Sequence, residues 1–180
     1  MAEKKRKGRK AYLNDFHKNA RGEYEFQGAV IEWKGEKGGL CKDLILLWIL
    51  CISMLIVLIA AGCLDAPGAT NRFYVVLPYT ISFVFGISTV WGVWRLFSGG
   101  NPLRSYIYDA SIAQIPLRCI GTMVCAGAAI LGEVIYLFKN GFEGKTAGIL
   151  GFLFLEAIAL VLSGILRKRV QKMPWEKKQQ

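Results

Sequence analysis

Histidine occurs once in these 180 residues, as His17. That scarcity excludes a haem held by two histidines inside a membrane, a multi-histidine metal centre and a histidine-activated serine. Cysteine occurs five times, as Cys41, Cys51, Cys63, Cys119 and Cys125, without a CxxC pair. Only Cys63 falls near the outer side of the arrangement read below, so disulfide exchange between outer loops lacks its second thiol. The five are expected as small, inert, buried groups. Walker-type glycine loops and the Gly-x-Ser-x-Gly elbow are missing as well. No catalytic constellation emerges, no cofactor is expected, and a membrane enzyme ranks a distant third among the functions weighed.

Acidic residues are also short in number. Thirteen Asp and Glu face 23 Lys and Arg, for a net charge of +10. In a soluble chain that balance points to nucleic acid. Here its distribution points elsewhere. Hydrophobic residues make up 53% of the chain, and charge is absent from long stretches of it. The apolar residues gather into four blocks at about 44–64, 73–97, 117–138 and 146–166, each long enough to cross a bilayer as a helix. Twenty of the 23 basic residues lie in 1–42, 95–118 and 167–180; only Arg72, Lys139 and Lys145 fall in the other two connections. Basic residues beside short spans stay cytoplasmic, so both termini are expected inside. No nucleic-acid partner is expected. The first apolar run starts too late and runs too long for a signal peptide, and reads as a retained anchor.

The expected fold is therefore an all-α integral membrane protein. It is a four-transmembrane-helix bundle over 43–166, with a basic N-terminal tail over 1–42 and a basic C-terminal tail over 167–180. Lys4, Lys5, Arg6, Lys7, Arg9 and Lys10 leave the first ten residues no apolar face and mark them as disordered. With Arg167, Lys168 and Arg169 after the last span, they are candidate contacts for anionic lipid headgroups, or else simply a topology signal. Alternation of Tyr24 and Phe26 with Glu23 and Glu25, then of Ile31 and Trp33 around Glu32, predicts a small hairpin over 22–33. Asn101-Pro102 predicts the start of a short interfacial helix over 102–114, with Leu103, Tyr106, Ile107 and Ala110 on one face and Pro116 as its stop.

Two residues resist this environment: Glu133 in the third block and Glu156 in the fourth. An ionisable group at membrane depth costs a few kcal/mol, so it is expected to face protein or water. Steps of three and four from Glu133 reach Ala129, Ala126 and Thr122; from Glu156 they reach Gly148, Phe152, Ala159 and Ser163. Such small-residue stripes permit close helix approach, and Ala126, Ala129 and Gly148 are the expected packing positions. At 1.5 Å per residue, Glu133 lies roughly 8 Å and Glu156 roughly 15 Å below the outer ends of their spans. The same ruler levels Tyr79 with Glu133, and Ser82 and Ser53 with Glu156, predicting one polar cluster on the bundle axis.

With no Lys, Arg or His at those depths, both acids are expected neutral and hydrogen-bonding. They read as a proton or cation site, as interhelical hydrogen-bond donors, or as partners of a base on another subunit. Two functions follow. The first in order is a non-enzymatic assembly or accessory subunit, packing against itself as a homo-oligomer or against another membrane protein. The other is an oligomeric small transporter or channel that binds a proton, cation or cationic ligand at Glu133 and Glu156.

Overall fold

The computed structural model describes residues 16–18, 22–26, 29–35, 39–100, 102–142 and 144–178. It is mostly helical, and four helices are long and apolar enough to cross a membrane. They are α1 (Gly39–Gly62), α3 (Phe73–Gly99), α5 (Ile115–Asn140) and α6 (Thr146–Gln171). A short α2 (Pro67–Asn71) lies between α1 and α3, and α4 (Ser105–Ala110) precedes α5. The main helix pairs are α1 with α3, α3 with α5, α5 with α6 and α6 with α1. The bundle is thus a ring in chain order, as short connections between antiparallel neighbours dictate.

Its core is layered along the axis. Leu47, Val93, Ile115, Cys119 and Leu166 fill the terminus-bearing end, where α1 begins and α6 ends. Met54, Leu58 and Ala159 fill the middle, and Ala61, Val75, Ala129 and Phe152 the far end. On α6 the buried positions are Ile149, Phe152, Glu156, Ala159, Ser163, Leu166 and Val170, one stripe at three- and four-residue spacing. Isoleucine, valine and phenylalanine on the outer faces, such as Ile56, Val124 and Phe154, stay exposed, as a lipid solvent requires.

The helices overrun the apolar blocks. α1 begins at Gly39 and takes in Lys42 and Asp43; α6 continues through Arg167, Lys168 and Arg169 to Gln171. Apolarity governs how much helix a membrane accepts, whereas backbone hydrogen bonding governs where it ends. Lysine and arginine are good helix formers and suit a helix C-terminus.

The terminus-bearing end departs most from expectation. Among the described residues, Tyr24–Phe26 and Val30–Trp33 do not pair with each other as the expected hairpin over 22–33. Instead β2 (Tyr24–Phe26) pairs antiparallel with β1 (Phe16–Lys18). β3 (Val30–Trp33) becomes the centre of a three-stranded sheet, between β4 (Leu103–Arg104) and β5 (Trp175–Lys178). Val30 faces Arg104 across one ladder, and Trp33 faces Trp175 across the other. Two exposed ion pairs, Lys178–Glu32 at 3.2 Å and Lys34–Glu176, follow the β3–β5 register. Trp33 and Trp175 meet edge to face at 5.5 Å, and Tyr108 of α4 reaches Trp175 at 6.1 Å. A lone hairpin is marginal; a third strand and an aromatic face against the bundle supply what it lacks.

The interfacial helix is also shorter than 102–114. Leu103 leaves the helical face for β4, where it is fully buried, and α4 spans only 105–110. A 3₁₀ turn over Ile112–Gln114 leads straight into α5. Pro116 does not terminate that helix but sits in the first turn of α5, where its missing N–H costs nothing.

Candidate functional site

Glu133 and Glu156 are both completely buried inside the bundle. Among the described residues they share the interior with a few hydroxyls: Ser82, Thr89, Thr122 and Ser163 are equally inaccessible. Most of those hydroxyls satisfy themselves on their own helix. Ser82 donates to the Tyr79 carbonyl at 2.8 Å, Thr89 to Phe85 at 2.8 Å and Thr122 to Arg118 at 3.2 Å. Ser163 donates to the Ala159 carbonyl at 2.8 Å, and its oxygen lies 3.1 Å from the Met54 sulfur of α1. Back-bonding of this kind is the default for serine and threonine in a membrane helix.

Glu133 is drawn to the connection between α1 and α3. Ala66, Pro67 and Gly68 of that connection are buried, and α2 packs on α5. The backbone N–H groups of Gly68 and Ala69 approach the carboxyl, although neither carboxyl oxygen reaches full hydrogen-bond geometry. A Cβ on Gly68 would run into Oε2, so glycine permits this approach. The connection is held from α6 as well. Lys145 pairs with Asp65 at 2.7 Å, and a Cβ on Gly148 would reach the Asp65 carbonyl already at backbone contact. Residues 65–71 therefore tuck into the far end of the bundle, with Glu133 beneath them.

Glu156 has a different setting. It sits on the α6 stripe between Phe152 and Ala159, in the region where the middle and far layers of the core meet. Among the described residues neither of its oxygens has a hydrogen-bond partner. Tyr79 of α3 lies within electrostatic reach of it. Tyr79 is itself engaged: its hydroxyl donates to the Leu58 carbonyl of α1 at 2.8 Å, and its ring tilts against Phe152 at 5.9 Å. Tyr79 thus joins three of the four helices beside Glu156.

The predicted cluster is therefore divided. Tyr79 and Glu156 belong together, whereas Glu133 turns to Gly68 and Ala69 rather than to Tyr79. Ser82 is buried with its hydroxyl spent on Tyr79, and Ser53 is only half-buried. Ala126 and Ala129 are fully buried within this one chain, and Gly148 is partly so. Arg167 is half-buried; Lys168 and Arg169 are exposed at the end of α6. Lys4, Lys5, Arg6, Lys7, Arg9 and Lys10 lie outside the described residues. The Gly68–Ala69 cradle is not legible in the sequence, where Pro67-Gly68 signals no more than a turn. Nor is the role of Arg118, which spans helices by donating to the Ser88 carbonyl at 2.5 Å and to Gln114 at 3.0 Å.

No protein-family model, curated protein or solved structure matches this chain. Its chemistry must be read from the bundle itself. The arrangement sets two buried carboxyls in unlike surroundings: Glu133 lies against the connection between α1 and α3, and Glu156 is enclosed near the middle of α6.

Proposed function

We propose that this chain is a four-span membrane protein, with both termini cytoplasmic, that takes up a proton or a small cation at Glu156. It would do so as the subunit of a small transporter or channel. The observation that carries this reading is the mid-span carboxyl, fully buried, with neither oxygen bonded. An ionised carboxylate there loses several kcal/mol of solvation that no cation returns. A carboxyl that serves only to tie helices together ought to have its partner in place, as Tyr79 has. An unbonded acid is instead suited to exchange, holding a proton at rest and exchanging it with a cation when the helices part. Enclosure within a single bundle also favours this reading over pairing with a base on another subunit.

The test is flux. Reconstituted in liposomes, the wild-type protein is expected to carry protons or monovalent cations, and Glu156→Gln to reduce the rate at least tenfold without changing the native mass. Equal flux by the two proteins overturns the reading.

A second reading, an accessory or assembly subunit, draws on the terminus-bearing end. In the order β4-β3-β5, the outer strands β4 and β5 each leave an edge among the described residues. Exposed edges accept added strands. That reading predicts a stoichiometric membrane partner in a mild-detergent pull-down, and full tolerance of Glu156→Gln.

A further inference from the structure

A pocket of about 370 Å³ opens at the terminus-bearing end, between the last turns of α3 and the start of α4. Trp91, Trp94, Arg95 and Ser98 line it from α3, and Tyr106 and Ile107 from α4. Its chemistry is one-sided, because every charge in its lining is positive and no carboxylate contributes. Among the described residues Arg95 takes part in none of the ion pairs. Arg118 lies within electrostatic reach of Arg95, and its own bonds go to a neutral carbonyl and a neutral amide. Arg104 donates to the Tyr106 hydroxyl at 3.4 Å, which brings a third guanidinium to the rim. Arg95 is therefore the charge inside the cavity, with Arg118 and Arg104 adding positive potential nearby, an arrangement that an anion would relieve.

The walls indicate which anion. Trp91 is 63% exposed and Trp94 53% exposed, on the outer surface of a helix whose neighbouring outward residues are apolar. Trp94 is held edge-on by Trp48 of α1, at 6.0 Å. Indole rings at the end of a span sit at headgroup level, with their apolar bodies against acyl chains. Arg95 lies four residues before the end of α3, so roughly 6 Å inside it. A guanidinium at that depth can bind a phosphate bidentately while its stem stays among apolar groups. Ser98 and Tyr106 add hydroxyls on the polar side of the pocket.

We infer that this pocket is a headgroup site for an anionic phospholipid of the adjacent leaflet. The phosphate sits on Arg95, and the acyl chains descend past Trp91 and Trp94. This inference does not depend on the role of Glu156. The site is distinct from the lipid contacts expected of the basic tails, because it is a cavity between α3 and α4.

The full chain in detergent, titrated with phosphatidylglycerol, phosphatidylcholine and inorganic phosphate, tests it by native mass spectrometry. Tight uptake of phosphatidylglycerol is expected, with phosphatidylcholine at least fivefold weaker and free phosphate unable to displace the lipid. Arg95→Gln should weaken phosphatidylglycerol roughly fivefold to tenfold, the loss of one basic contact near a membrane surface. Lys168→Gln, on exposed α6, should change it less than twofold. Ser98→Leu narrows the mouth while keeping every charge and should reproduce the loss, which guards against misfolding of the arginine variant. Equal uptake of the two lipids overturns the inference. So does displacement of the lipid by phosphate alone, or a loss below fivefold in both pocket variants.

Discussion

Glu156 and Glu133 show how two identical side chains, both fully buried, come to differ. Among the described residues Glu156 lacks any bonded partner. Replacing it with leucine removes an uncompensated polar group at similar volume, so Glu156→Leu is expected to stabilise the bundle by about 1–3 kcal/mol while abolishing flux. Thermal unfolding in detergent alongside the liposome assay checks both halves, and a destabilised variant would argue for hidden hydrogen bonding. Glu133 instead shares its space with Gly68. Gly68→Ala places a methyl against the carboxyl and should cost about 1–3 kcal/mol. Trimming the acid in Glu133→Ala should make the second change nearly free, a coupling that a double-mutant cycle measures directly. That both acids face inward was legible, because the faces of a helix follow from simple counting. Their partners were not, since Gly68 lies sixty-five residues from Glu133 and reaches it only through a folded connection.

At the scale of elements, the spans were legible and the sheet was not. Helix formation and apolar transfer both sum over neighbouring residues, so the four blocks could be read from local composition. Strand pairing is settled between residues far apart. Val30–Trp33 had the alternation of a strand, but its ladders run to Leu103–Arg104 and Trp175–Lys178. Nothing near residue 30 names those partners. The aromatic contact at the β3–β5 ladder then sets a prediction. Trp175→Ala removes the rings' contact with Trp33 and Tyr108, worth about 0.5–1.5 kcal/mol beyond area burial. Trypsin should cut after Lys34 several-fold faster in that variant, with the four spans left intact. An unchanged digestion rate would mean that the sheet holds without its aromatic face.

For the whole molecule, the open quantity is orientation across the membrane. Cys41 and Cys63 are both exposed and stand at opposite ends of α1. In a protein whose remaining cysteines are replaced, an impermeant maleimide added to intact cells should label Cys63 and leave Cys41 until the membrane is opened. The reverse pattern would invert the topology and place the basic pocket in the other leaflet. The charge distribution, twenty basic residues on one side against three, is the basis for the expected direction.

The sequence by itself determined that four apolar helices form, where they lie, and that two acids must turn inward. Each of these follows from a sum along the chain: transfer free energy, helical rise, and the cost of placing charge in lipid. The tertiary structure alone decided that Glu133 meets α2, that Tyr79 stands by Glu156, and that residues 30–33 join the two ends of the chain. Those outcomes depend on the rotation of each helix against its neighbours and on connections folding back over them. Both are properties of surfaces in contact, and no stretch of sequence contains both surfaces.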